Sequence, residues 1–206
     1  MMWKRLTAKR VALVVAGAIL VACGGEQALL VSPRLDGAPP LGVVSDPSGA
    51  RVRPVRRQKP LLDDESWSFD VDATGAVVRH ASTGLTITVP AGAVAVTTHV
   101  TVTALKGAPL AYRFEPHGLQ FAKPVQLTQK LQGLSVARPG ILVPQLFGGY
   151  FADDSLPTDA ATDAARVIEI LPVLIDVNGH AAILQIRHFS GYTVASAAAD
   201  SLPGVR

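Results

Sequence analysis

The chain has little of what most enzyme sites are built from. It carries one cysteine in 206 residues, which excludes an intramolecular disulfide framework and any zinc site made of cysteines. Aromatic residues make up 5% and charged residues 17%, the latter below the usual ~25%. No run of apolar residues approaches the ~20 needed to span a bilayer as a helix. The five histidines, His80, His99, His117, His180 and His188, include no pair at the i,i+4 spacing of a helical metal site. Also missing are a Gly-x-Ser-x-Gly elbow, a phosphate-binding loop, a dinucleotide fingerprint and a Cys-x-x-Cys pair. The acidic stretch Asp153, Asp154, Asp159 and Asp163 lacks the ligand order of a calcium loop and reads as a solvated loop. Nothing here supports an enzyme acting on a diffusible substrate, and neither a cofactor nor a metal is expected.

What is plentiful is glycine and proline, 18 and 15 residues, which favour turns and short strands over long helices. The formal charge of +3 comes from the start of the chain. Lys4, Arg5, Lys9 and Arg10 contribute four positive charges, and residues 1–22 hold no acid. Without that segment 15 bases face 16 acids, so a nucleic-acid partner is not expected. The basic stretch is followed by twelve uncharged, mostly apolar residues, Val11 to Ala22. This is the order of a secretory signal. As a helix the run covers about 18 Å, well short of the ~30 Å hydrocarbon core.

The signal ends Leu20-Val21-Ala22-Cys23-Gly24-Gly25, which resembles the lipobox of bacterial lipoproteins. The resemblance implies cleavage after residue 22, diacylglyceryl attachment to the Cys23 sulfur, and acylation of the new amino terminus, by palmitate for instance. Each buried acyl CH₂ contributes about 0.8 kcal/mol, so two or three chains hold a soluble domain at a membrane. Gly24 replaces the aspartate linked to inner-membrane retention, which implies the outer membrane of a bacterial cell envelope.

Residues 23–60 hold six prolines and keep no helix or strand period, and are read as a flexible Pro/Gly-rich tether. Its end, Arg51 to Lys59, carries five positive charges in nine residues, read as solvated charges. From residue 61 to about 200 the pattern is that of strands. Trp67, Phe69 and Val71 alternate with Ser68, Asp70 and Asp72; Leu85, Ile87 and Val89 alternate with Thr86 and Thr88; Val100 and Val102 alternate with Thr101 and Thr103. Asn178-Gly179 between two apolar runs predicts a hairpin. Thr158 to Ile168 is the one stretch able to hold a helical turn or two. The body is therefore predicted all-β, an antiparallel β-sandwich, with residues 201–206 as a tail.

Two segments narrow this further. Leu85-Thr86-Ile87-Thr88-Val89-Pro90-Ala91-Gly92-Ala93-Val94 runs a strand into a Pro-x-Gly-Ala turn, and Phe114 to Leu127 contains Pro116-His117-Gly118 followed by Phe121-Ala122-Lys123-Pro124. In this order and separation they resemble the ZU5 domain, a β-sandwich module of ankyrins, netrin receptors and the death-domain protein PIDD that also occurs in bacterial secreted proteins. The resemblance covers roughly residues 76–199 and implies a structural or interaction role, with an unknown protein or envelope polymer as partner. A third segment, His188-Phe189-Ser190-Gly191-Tyr192, matches the His-Phe-Ser at which some ZU5 proteins cut themselves. By that resemblance Ser190 attacks the Phe189 carbonyl carbon and His188 assists. Gly191 stands where the cleaving animal proteins carry tryptophan. The alternative is that Phe189 and Tyr192 simply pack into the core around a bend. A glycan-binding face would instead draw on Trp67, Tyr150 and Phe151.

Overall fold

The structure, a computed structural model, describes residues 42–43, 49–136 and 145–197 apart from 153, 177 and 179. The signal segment, Cys23, the first part of the expected tether and the tail lie outside the described residues. Among the described residues fifteen strands follow in order. The first eight are β1 (Gly42–Val43), β2 (Ala50–Pro54), β3 (Arg56–Leu61), β4 (Glu65–Val71), β5 (Ala76–His80), β6 (Leu85–Val89), β7 (Thr98–Ala104) and β8 (Gly107–Pro109). The rest are β9 (Ala111–Glu115), β10 (Gln120–Lys130), β11 (Leu146–Phe151), β12 (Ala165–Val167), β13 (Glu169–Ile175), β14 (Ala181–His188) and β15 (Gly191–Ala197). The fold is all-β and its strand pairs are antiparallel.

Ten strands form one hydrogen-bonded path, β4-β7-β9-β15-β11-β13-β14-β10-β6-β5. The path turns over at β13. Its first half pairs with β11, Glu169 to Pro172 opposite Tyr150 to Phe147, and its second half pairs with β14, Val173 to Ile175 opposite Leu184 to Ala182. Two layers result, one on each side of a shared core. Val100, Val102, Phe114 and Tyr192 enter that core from the first layer, and Leu85, Ile87, Val125, Leu127, Leu184 and Ile186 enter from the second. Each of these is buried because strand alternation sends every second side chain inward.

The alternations in the sequence map onto β4, β6 and β7. The hairpin expected at Asn178-Gly179 joins β13 to β14, with the Asp176 N–H donating to the Ala181 carbonyl at 3.0 Å. Gly179 itself lies outside the described residues. In the Thr158–Ile168 stretch there is no helix. Thr158 bridges to Ala165, the Asp159 carboxylate accepts the Ala161 N–H at 2.8 Å to make a turn, and β12 follows.

One expectation needs correcting. The end of the expected tether, from residue 50 to 60, is taken up by β2 and most of β3. β2 pairs with both β12 and β15, and β3 pairs with β8. Val52 and Pro54 are buried while Arg51 and Arg53 face out, so a short period of 2 lies inside the proline-rich composition. Pro54 is tolerated because the β12 pairing stops at Val52, so at Pro54 β2 has a partner only on the β15 side, where Ala195 lies opposite, and the strand can forgo one donor there. The basic run is also not uniformly solvated. The Arg57 guanidinium lies over the Tyr112 ring, 5.9 Å from its centroid, and donates to the carbonyls of Leu105 and Gly107 at 3.1 and 3.3 Å. Burial lowers its pKa, opposed by the neighbouring Tyr112 and Glu65. Arg56 pairs with Asp163 at 2.9 Å.

Candidate functional site around Ser190

β14 ends at His188 in one layer and β15 begins at Gly191 in the other, so Phe189 and Ser190 form the link that crosses between them. The backbone of this link is held on both sides. The Phe189 N–H donates to the Leu119 carbonyl at 2.9 Å, the Gly118 N–H donates to the Phe189 carbonyl at 2.8 Å, and the Phe114 N–H donates to the Ser190 carbonyl at 3.0 Å. The partners come from β9 and from the Pro116-His117-Gly118 turn that follows it. Gly118 has φ +78°, a conformation closed to most side chains, and this aims its N–H at the link.

Phe189 is fully buried. Its ring stacks on Phe114 with centroids 5.2 Å apart and meets Phe121 edge-on at 4.7 Å. Ser190 is also fully buried, at 0% exposure, so its hydroxyl is out of reach of any dissolved substrate. That hydroxyl lies 2.9 Å from Nε2 of His117 and 3.4 Å from the Phe151 carbonyl. The His117 ring sits at the surface above it.

The expected pairing of His188 with Ser190 is replaced by His117. His188 turns to other partners: its Nδ1 is 3.2 Å from the Tyr192 hydroxyl, its Nε2 is 3.9 Å from a Glu169 carboxylate oxygen, and its ring abuts Tyr150 edge-on at 5.0 Å. The Tyr192 O–H donates to the His188 carbonyl at 2.7 Å. Burial first, then the Glu169 charge, push the Tyr192 phenol far above its ordinary pKa, so it stays a neutral donor. Sequence reading missed His117 as the partner because it lies 73 residues from Ser190. The signal available was its place between Pro116 and Gly118.

Gly191 has a packing reason to be glycine. A Cβ built there would lie 2.2 Å from Phe151 Cε2 and 2.4 Å from its Cδ2, so the Phe151 ring occupies the space a side chain needs. Neither Phe189 nor Ser190 has a positive φ; among the described residues the non-glycine residue that does, Asp163 with φ 55°, lies elsewhere.

The aromatics considered for a glycan face are engaged. Trp67 is half-buried and stacked on His80 at 3.7 Å, Tyr150 packs on His188 and Tyr192, and Phe151 is buried. Of the acidic loop, Asp154 faces solvent beside Arg113 and Asp163 pairs with Arg56, while Asp153 lies outside the described residues. Among the described residues no three His, Cys, Asp or Glu side chains converge as metal ligands.

Comparison with protein-family models returns no match, and comparison with curated proteins returns none either.

Proposed function

We propose that this chain is a lipid-anchored protein of the bacterial cell envelope, held by acylated Cys23, and that its ZU5-like sandwich works as an interaction or structural module. The observation that carries this reading is the outer face of the second layer. Register aligns Val77, Thr88, Gln126 and Gln185 in one row, and Arg79, Thr86, Thr128, Ile183 and Leu174 in the next. Val77 and Leu174 are large apolar side chains left exposed at opposite margins of this face. In these two rows Arg79 is the one charged residue among mostly threonine and glutamine, and with an exposed apolar residue at either margin the face suits contact with a protein or envelope polymer. The test is a photo-crosslinking residue placed at Leu174 or at Leu62 in the full-length protein, expressed in its own bacterium. A product specific to position 174 that disappears with Thr128→Lys supports the reading. Identical patterns from both positions contradict it.

A second reading is favoured by a specific observation. The Ser190 hydroxyl, its histidine partner at 2.9 Å and a backbone N–H on the Phe189 carbonyl meet at one peptide bond. These are the nucleophile, base and carbonyl-polarising donor that acyl transfer requires. In this reading the module cuts itself between Phe189 and Ser190. Denaturing electrophoresis of wild type beside Ser190→Ala decides it: a fragment present only in wild type supports self-processing, and two intact chains end it.

A further inference from the structure

We infer that His117, not His188, is the base of this site, and that the Pro116-His117-Gly118 turn supplies both catalytic elements that Ser190 lacks. The inference rests on the self-processing reading. With its ring protonated on Nδ1, His117 presents a lone pair on Nε2 to the Ser190 hydroxyl at 2.9 Å, closer than the competing Phe151 carbonyl at 3.4 Å. The next residue in the turn, Gly118, donates its N–H to the Phe189 oxygen at 2.8 Å. That is the oxygen on which negative charge develops when the carbonyl is attacked. One turn thus addresses the proton that must leave and the charge that must form.

Burial decides the class of reaction. With Ser190 fully buried, the electrophile must come from the chain itself, and the neighbouring carbonyl carbon of Phe189 is already polarised. The Ser190 Oγ proton passes to His117 Nε2 as Oγ bonds to the Phe189 carbon. The bond from that carbon to the Ser190 nitrogen then breaks, and His117 returns the proton to the departing nitrogen. The resulting ester is hydrolysed by one water, which restores the Ser190 hydroxyl and leaves a carboxylic acid on Phe189 whose proton passes to the new Ser190 amine, giving a carboxylate and an ammonium. The surface position of the His117 ring gives water its approach, whereas His188 is occupied by Tyr192, Glu169 and Tyr150.

The experiment uses the full chain made by cell-free synthesis, with cleavage followed in time by denaturing mass spectrometry. Wild type, Ser190→Ala, His117→Ala and His188→Gln are compared, with thermal unfolding of Ser190→Ala and of its His117→Ala double variant as the folding control. Loss of a positioned base slows such a step by about 10²–10⁴-fold. The expectation is that His117→Ala slows cleavage to that extent, that added imidazole restores part of the rate by entering the vacated surface site, and that His188→Gln stays within a few-fold of wild type. If wild type cleaves and His117→Ala cleaves at the same rate, the assignment to His117 falls while self-processing stands. If His188→Gln alone abolishes cleavage, His188 is the base. If wild type never cleaves, the self-processing reading and this inference fall together.

Discussion

Gly191→Ala isolates the tightest contact at the candidate site. In an open strand position, replacing glycine by alanine stabilises by about 0.4–1 kcal/mol, because the unfolded chain loses freedom. Here the added Cβ would sit 2.2, 2.4 and 2.6 Å from three carbons of the Phe151 ring, so either the ring or β15 must move. Phe151 is buried at 1% exposure and packs with Leu105 and Ala111 in a small core cluster, so a shift of its ring disturbs both. Overpacking of this kind costs about 1–3 kcal/mol and should outweigh the entropic gain. The net expectation is destabilisation by about 1–2 kcal/mol, or a fall in Tm of roughly 2–8 °C at 2–4 °C per kcal/mol. Urea and thermal unfolding of the chain measure it. Phe151→Leu should relieve the clash, so a double-mutant cycle should return a favourable coupling of about 1 kcal/mol or more between the two changes. A stabilised Gly191→Ala variant, or a cycle with no coupling, would refute the packing argument and leave the glycine unexplained.

Other outcomes follow from the same contacts. Phe189→Ala removes a fully buried ring held between Phe114 and Phe121 and should cost about 3–5 kcal/mol by denaturant unfolding; a loss under 1 kcal/mol would mean the ring is not core. Arg57→Met leaves the carbonyls of Leu105 and Gly107 without their donor and should cost about 1–3 kcal/mol in the same assay. Tyr192→Phe strips the donor from the His188 carbonyl and should cost about 1 kcal/mol, with no added pH dependence below pH 9. Asp72 accepts the Thr74 hydroxyl and N–H, and the Thr74 hydroxyl is the main reason its pKa is lowered. Its stabilising effect is therefore complete above the ordinary aspartate value of about 3.9 and fades as pH falls through the lower folded value. The urea midpoints of wild type and Asp72→Asn should differ at pH 5 and converge towards pH 2; a constant difference would show that the carboxylate charge has no part in the turn.

The strands with clean alternation, β4, β6 and β7, were legible because one face of each meets the core and the other meets polar surroundings. β2 was not, because proline and arginine dominate its composition and its alternation is only Val52 and Pro54 against Arg51 and Arg53. β11 was illegible for a different reason. It reads Leu-Phe-Gly-Gly-Tyr-Phe, and its glycines exist because Leu184 and Val167 fill the space their side chains would occupy, a fact held by distant residues. At the candidate site, the serine and its scissile carbonyl were readable from a local motif. The histidine that reaches the serine was not, since a contact across 73 residues leaves no spacing to find. The engagement of His188 with Tyr192 is close in sequence, but its consequence depends on Glu169 and Tyr150 from β13 and β11.

The most direct test of the account is a denaturing intact-mass spectrum of the full-length protein from the membrane fraction of its bacterium. The anchored-module account predicts a chain that begins at Cys23 with a mass increment of two or three acyl chains and ends at Arg206. If the module also processes itself, the lipidated species ends at Phe189 beside a peptide of Ser190–Arg206, which native conditions would conceal because β15 stays paired with β2, β9 and β11. A chain without lipid that begins anywhere other than Cys23 would contradict the account.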